Sequence, residues 1–257
     1  MDKASIGGAV LAIAGIIAGL LIEGGSVGQI LQPTAALIVF GGTVGAVLLQ
    51  FPLTTVLAAF RSLIHIFAAP TKQDAQQIAQ LVAFANKARR KGVVSLDDDL
   101  RGIRDPFLKQ TLMLAVDGTE PAELRKIMRV NLDSITEDEE RLPAVFESAG
   151  GFSPTIGILG AVLGLIQVMQ HLEDIQAVGR GIAVAFVATI YGVGIANLFF
   201  LPIAGKMRLR IRNGHRRREM VLDGVVSILE GMNPRMLEIK LTGFLEGGAR
   251  GQKERTA

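Results

Sequence analysis

Apolar residues along this chain are gathered into long runs instead of alternating with polar ones. Four runs contain no Asp, Glu, Lys or Arg, and they cover residues 4–22, 33–51, 148–171 and 181–205. Each has about 20 residues, the length that a helix needs to cross the hydrocarbon core of a bilayer. Backbone polar groups inside lipid must pair within their own segment, so each run is predicted to be a helix. The pattern predicts an all-α, polytopic membrane protein with four transmembrane helices.

The stretch between the second and third runs has the period of amphipathic helices. Apolar positions in residues 73–90 recur every three or four residues, which predicts one helix there. A second helix is expected with Thr119 as its N-cap and Pro121 in its first turn. The predicted domains are transmembrane helices 1 and 2 in residues 1–52, a helical cytoplasmic domain in 53–150, transmembrane helices 3 and 4 in 151–204, and a basic cytoplasmic tail in 205–257.

The positions of Lys and Arg predict the orientation in the membrane. Of the 27, 13 lie in residues 51–150 and 12 follow Pro202, whereas residues 23–32 hold none. Loops rich in Lys and Arg stay on the cytoplasmic side, so both termini and the large loop are predicted to be cytoplasmic. The first run is expected to remain as a helix, because it is long for a signal-peptide core and Glu23-Gly24-Gly25 is a poor cleavage site.

The side chains available for chemistry exclude several classes of function. The chain has no Cys, which rules out disulfides, thiolate metal sites and cysteine nucleophiles. Its histidines, His65, His171 and His215, lie at the ends of runs or in the tail, where solvated histidines are expected. Ionisable residues inside a bilayer usually mark proton relays, so four uncharged runs predict that a partner chain brings any titrating group of an ion path. No catalytic residue, metal site or cofactor is predicted, and the chain is not expected to be an enzyme.

Glycines recur at a four-residue spacing in three of the runs. The pairs are Gly15 and Gly19, Gly41 and Gly45, and Gly160 and Gly164. Small residues at this spacing let two helix backbones approach closely. The spacing fits packing within one chain and packing between subunits equally well, and both interpretations remain open at this stage.

Four segments resemble the MotA family of flagellar stator proteins. Pro154–Leu165 and Ala183–Pro202 resemble its third and fourth spans, Arg89–Asp99 its rotor-facing loop, and Glu230–Leu241 its C-terminal motif. The resemblance implies a bacterial inner-membrane protein that forms a ring, taken as a homopentamer, around a MotB-like single-span partner that binds peptidoglycan. Within the family the chain looks closest to the MotC branch, whose partner is MotD. The implied function is an ion channel that converts ion flow into torque on the rotor protein FliG.

The resemblance also implies roles for individual residues. Those of the ion pathway are Pro154, Ala161, Thr189 and Tyr191, and Pro154 and Pro202 match two functional prolines of the family. Those that face the rotor are Arg89, Arg90, Lys91, Asp97 and Asp98. These charges flank a turn predicted at Gly92, and complementary charges can steer a contact that must break at every step.

The transported ion is predicted to be a proton, with Na⁺ as the alternative. Sodium-driven members of the family tend to carry Thr seven residues after the third-span proline, where this chain has Ala161. A dehydrated Na⁺ needs several oxygen ligands, and the missing hydroxyl removes one of them. A proton needs only a titrating carboxylate and a path of water or hydroxyl groups, to which Thr189 could contribute.

Three other functions fit parts of the sequence. The nearest is an envelope-energising channel subunit of the TolQ or ExbB kind, but those chains look like three-span proteins. A small solute transporter usually shows inverted repeats, and none is visible between the two pairs of runs. A passive membrane scaffold is the third. The basic residues after Pro202 are expected to anchor the chain to anionic lipid, and a nucleic-acid partner is not expected.

Overall fold

The computed structural model describes residues 3–66 and 73–253, and every regular element in that part of the chain is helical. The α-helices are α1 (Lys3–Ile22), α2 (Pro33–Gln50), α3 (Leu53–Ile66), α4 (Gln73–Lys91), α5 (Pro106–Val116), α6 (Pro121–Gln170), α7 (Ile175–Ile195), α8 (Leu201–Leu229) and α9 (Pro234–Lys253). Short 3₁₀ segments cover Val27–Ile30 and Val93–Gly102, and a π turn covers Ala196–Phe200. The all-α prediction is confirmed.

Three helical stretches in the described part of the chain are long and apolar enough to cross a membrane. They are Pro33–Gln50, a window within Pro121–Gln170, and a window within Ile175–Leu229. The apolar part of α1, Ile6–Ile22, falls just below that length. The structure therefore supports a membrane protein, and the count of four spans stays a prediction.

The chain forms two compact units. The membrane unit contains the described residues 3–66 and 139–209, and the loop–tail unit contains 73–138 and 210–253. Helices α6 and α8 contribute residues to both. One buried cluster of the membrane unit joins α2, α3, α6 and α8 through Val47, Val56, Ala59, Val145, Phe146, Ala149, Ala204 and Met207.

Helix α6 is longer than the sequence suggested. The helix expected after Thr119 and the third apolar run are parts of one 50-residue helix that continues through Pro143 and Pro154. Pro121 is its first residue, as predicted, but Glu120 occupies the cap position, because its carbonyl accepts from the Leu124 N–H at 2.9 Å. The prediction of Thr119 as N-cap was wrong by one residue.

Most described residues after position 205 are helical, and many of those up to position 244 are packed. The end of α8 and the first half of α9 join α4, α5 and the start of α6 around a buried core. This core includes Leu81, Leu96, Leu112, Leu124, Met128, Val225, Leu237 and Leu241. The carboxylate of Asp223 on α8 lies 3.1 Å from Arg125 on α6 and 2.6 Å from Lys240 on α9. One acidic side chain thus links three helices of the loop–tail unit.

The segment Glu230–Arg235 is a helix stop followed at once by a helix start. Gly231 has φ 75°, and the Met232 N–H donates to the Ser227 carbonyl at 3.0 Å, which ends α8 in a left-handed turn. The Asn233 side chain then accepts from the Arg235 N–H at 3.0 Å, with Pro234 as the first residue of α9. This motif therefore sets the reversal between α8 and α9.

Candidate functional site

Helices α6 and α7 meet along two stripes of small residues, which together form the α6–α7 seam. The stripe on α6 is Ser153, Gly157, Gly160 and Gly164, and the stripe on α7 is Gly181, Ala185, Ala188 and Gly192. A Cβ added at Gly157 would lie 2.9 Å from the Ala188 carbonyl oxygen, and one added at Gly164 would lie 2.7 Å from that of Gly181. The Ser153 hydroxyl donates to the Gly192 carbonyl at 3.1 Å. These pairings make the two helices antiparallel and bring their backbones into direct contact.

The seam answers the question about the third glycine pair. Gly160 and Gly164 pack against α7 of the same chain. By contrast, among the residues that the structure describes, no non-local atom lies within 4 Å of a Cβ placed at Gly15, Gly19, Gly41 or Gly45. The pairs on α1 and α2 are therefore open to contacts from outside the chain.

A second pair of stripes borders the seam and forms the flanking face. Its members on α6 are Pro154, Ile158, Ala161 and Leu165, and on α7 they are Ile182, Phe186, Thr189 and Val193. Each member follows a seam residue by one position, and the helices are antiparallel, so both stripes lie on the same side of the seam. The larger apolar members are exposed within the single chain, Phe186 by 69%.

Three of the four residues assigned to the ion pathway lie on the flanking face. Pro154 and Ala161 are half-buried on α6, and Thr189 is half-buried on α7. The Thr189 hydroxyl donates to the Ala185 carbonyl at 3.2 Å. None of the eight residues of the face carries a group that titrates near neutral pH. The face therefore offers an apolar surface with one hydroxyl and no proton-carrying group of its own.

Tyr191, the fourth of these residues, lies on the other side of the seam, next to α2. Its hydroxyl donates to the Ile30 carbonyl at 2.5 Å and accepts from the Gln32 N–H at 3.3 Å. Its ring centroid lies 6.0 Å from that of Phe40. The side chain thus ties α7 to the connection between α1 and α2.

Pro202 is exposed near the start of α8, directly after the π turn. Sequence reasoning marked the proline but missed the turn. In the turn, the Leu201 N–H donates to the Ala196 carbonyl, five residues back instead of four. The Asn197 side chain donates to the Val193 carbonyl at 2.9 Å. A backbone irregularity thus separates α7 from α8.

The charged loop after α4 presents its predicted rotor-facing residues to solvent. Gly92 has φ 80°, which confirms the predicted turn. The basic cluster on one side and the acidic pair on the other are exposed; they are Arg89, Arg90, Lys91, Asp97 and Asp98. Leu96 and Leu100 are buried and fix the 3₁₀ segment to the core. Asp99 differs from its neighbours, because it is half-buried and lies 2.7 Å from the Lys87 ammonium group.

Sequence comparison matches two stretches of the chain, which together cover most of it, to known protein families. Residues 6–92 match the N-terminal domain of motility protein A, and residues 99–220 match the MotA/TolQ/ExbB proton channel family. The chain belongs to the MotA/TolQ/ExbB proton channel family. The match of residues 6–92 to the N-terminal domain of motility protein A makes it a MotA-type member of that family.

Individual MotA-type proteins resemble the chain over nearly its full length. Motility protein A of Bacillus subtilis is 33% identical over 95% of this chain and 91% of that protein. The chemotaxis protein PomA of Vibrio alginolyticus is 30% identical over 97% of this chain and 98% of its own length. Both likenesses include the α6–α7 seam and the charged loop.

Solved structures of the MotA/TolQ/ExbB family share the fold. A chain of C. jejuni MotAB superposes with a TM-score of 0.89 at 32% identity, over 95% of this chain and 96% of that chain. A chain of the flagellar MotAB stator complex from Bacillus subtilis superposes with a TM-score of 0.87 at 32% identity, over 98% and 99% of the two chains. The likeness in fold therefore extends across both compact units.

Proposed function

We propose that this chain is a stator subunit of the flagellar motor, which forms a proton channel with a MotB-like partner and converts ion flow into torque on the rotor. The observation that carries the proposal is the flanking face. An apolar surface inside the membrane is left uncovered by the chain and has no titratable group. Such a face is suited to a partner helix that supplies the missing carboxylate.

The similar solved structures support the proposed partner and assembly. The similar structures are complexes of MotA with MotB, which supports a single-span, peptidoglycan-binding partner for this chain, MotB or MotD. A homopentameric ring around the partner would cover the flanking faces and the glycine pairs on α1 and α2. The sequence resemblance to the MotC branch favours MotD, and a neighbouring reading frame for a one-span, peptidoglycan-binding protein would support that choice.

The proposed placement is the bacterial inner membrane, with both termini and the loop–tail unit in the cytoplasm. In that arrangement α1 also crosses the membrane, which gives four spans in total. Basic residues of the membrane unit, such as Arg61 and Arg208, would then lie near the cytoplasmic headgroups, where anionic lipid attracts them. The exposed charges beside Gly92 would face FliG.

Swimming tests the proposed function directly. In cells without stators of their own, the chain expressed with its MotB-like partner is expected to restore swimming, and the chain alone is not. Swimming that never returns, although both proteins reach the membrane and associate, would remove the stator function. Transport of energy to the outer envelope in those cells would then favour the TolQ or ExbB alternative.

Charge reversal tests the rotor-facing role. Replacing Arg89, Arg90 and Lys91 by Glu is expected to stop swimming and leave membrane levels unchanged, because these side chains are exposed and contribute little to folding. Reversal of acidic rotor residues should restore part of the motion. The matched control reverses three exposed basic residues of the same unit, Lys109, Lys126 and Arg129. Equal loss in both triple variants would show an effect of net charge and not of this loop.

The ion is tested by changing one gradient at a time. With this stator alone, swimming speed is expected to follow the proton-motive force and to ignore external Na⁺, because Ala161 offers no oxygen ligand to a dehydrated cation. The measurement is speed against Na⁺ concentration at constant proton-motive force. A steep rise with Na⁺, or loss of speed with a sodium-channel blocker, contradicts proton coupling.

A further inference from the structure

The buried stripe of α7 and α8 shifts by one residue between the two helices. In α7 it falls on Gly181, Ala185, Ala188 and Gly192 and continues to Ala196, the first residue of the π turn, and in α8 it falls on Ala204 and Met207. An α-helix turns by about 100° per residue, so an unbroken helix would place Ala204 about 160° around the axis from Ala188. Both residues nevertheless face α6: a Cβ added at Gly160 would lie 2.8 Å from the Cβ of Ala188, and Ala204 shares a buried cluster with Val145, Phe146 and Ala149. Something between them must remove part of that rotation.

The π turn removes it. A π turn holds one residue more than an α turn, so the helix after it is set back by about one residue, roughly 100°. This brings Ala204 and Met207 back toward the side of Ala188. The π turn therefore contains one extra residue, which lets the two tightly packed stretches of helix keep their own buried faces.

The helix is tightly packed on both sides of the π turn. Gly192, just before the turn, contacts the Ser153 carbonyl so closely that a Cβ would not fit. Just after it, a Cβ added at Gly150 on α6 would lie 2.7 Å from a methyl carbon of Leu201. Movement of α8 relative to α7 would concentrate in the five residues between them.

One backbone donor is missing directly after the turn. Pro202 has no N–H, so the Leu198 carbonyl, four residues earlier, receives no bond from it. The Val193 carbonyl accepts from the Ala196 N–H and from the Asn197 side chain. Asn197 is exposed and lies one turn beyond Val193 on the α7 stripe of the flanking face. A group bound to that face can therefore reach its amide.

We propose that the π turn Ala196–Phe200 is a hinge between α7 and α8, and that Asn197 is its positioning residue. Its amide holds the π register by bonding the Val193 carbonyl. Release of that bond lets the turn exchange toward the α register, which rotates α8 about its own axis relative to α7. This inference rests on the proposed stator function, in which the flanking face of α7 lines the ion path and α8 leads away from it.

A single-residue deletion separates the hinge from a purely structural bulge. Deleting Leu198 removes the extra residue of the π turn and leaves a regular helix whose two buried stripes both face α6. The variant is therefore expected to reach the membrane and bind its partner like the parent. It should conduct protons yet fail to rotate tethered cells. The matched control deletes Phe186, an exposed residue of regular α7. That deletion turns Gly181 and Ala185 out of the seam, and loss of assembly is expected.

Substitutions at Asn197 provide a second measurement. Asn197→Leu keeps the volume and removes the amide, whereas Asn197→Gln keeps an amide. Leu is expected to lower rotation at high load without lowering assembly, and Gln to restore part of the rotation. A structural role alone would lower assembly and rotation together.

The outcomes are distinct. A Leu198 deletion that assembles and rotates cells at the parent speed contradicts the hinge. A Leu198 deletion that fails to assemble contradicts the claim that the extra residue of the π turn accounts for the shift between the two buried stripes. If the parent chain itself never supports rotation, the stator function fails, and the register is still tested by assembly of the two deletion variants.

Discussion

Hydrogen-bond partners divide side chains that look equivalent in the sequence. Tyr191 stands near Thr189 in a segment that resembles a channel helix, yet its hydroxyl is engaged by the backbone beside Ile30 and Gln32. Asp99 follows two exposed carboxylates, yet it is paired with Lys87 on α4. In each case the residue type is suited to function, and the partner assigns it to holding the structure.

Tyr191→Phe tests this division. The substitution keeps the ring beside Phe40 but leaves the Ile30 carbonyl and the Gln32 N–H without the hydroxyl. A buried group without its hydrogen bond lowers the free energy of unfolding by about 1–3 kcal/mol. The melting temperature of the purified complex should therefore fall. Thr189→Val, a change on the flanking face, is expected to leave the melting temperature nearer to the parent value and to lower swimming speed. An unchanged melting temperature in Tyr191→Phe would contradict the structural role.

At the scale of elements, packing depends on where glycine is placed. The seam between α6 and α7 has no room for a Cβ at Gly157 or Gly164. By contrast, Gly15 and Gly45 are exposed, and a Cβ there would meet no non-local atom of the described residues. The same residue type at the same spacing therefore serves an internal contact on one helix and an external surface on another.

Gly157→Ala and Gly45→Ala separate these two uses. The first places a methyl group against the Ala188 carbonyl and should destabilise the fold by about 1–3 kcal/mol. The second meets no non-local atom of the described residues and should stabilise the helix by roughly 0.5–1 kcal/mol. Thermal unfolding of the purified chain measures both. A Gly45→Ala variant that folds normally but runs at a smaller size in native gels would place a subunit contact on α2.

For the whole molecule, the distribution of charge predicts topology. The two basic stretches are separated by apolar helices, and the short connections at residues 23–32 and 171–174 hold no Lys or Arg. Reporter fusions at Gly28 and Gln176 are expected to read periplasmic, and a fusion at Lys109 cytoplasmic, because translocation disfavours Lys and Arg in short loops. A cytoplasmic readout at Gly28 would show that α1 and α2 do not form two spans.

The fold was predictable where one physical signal dominates. Uncharged runs of about 20 residues predict helices because lipid allows little else. The continuity of α6 was not predictable, since the charged residues around Glu139 and the proline at Pro143 look like a boundary. The role of Tyr191 depends on a contact with residues more than a hundred positions earlier, which no local pattern records. The π turn did leave a trace, since the small-residue spacing that ends at Ala196 resumes out of step at Ala204.

The charged loop has a consequence for how such a machine could be altered. Its shape depends on Gly92, whose positive φ suits glycine, on the buried Leu96 and Leu100, and on the Lys87–Asp99 pair. None of these is among the exposed charges beside them. The residues that fix the conformation of the loop are thus distinct from its exposed charges, and the charges could be replaced without changing that conformation. Compatibility with a different rotor could therefore evolve, or be engineered, by a few surface substitutions.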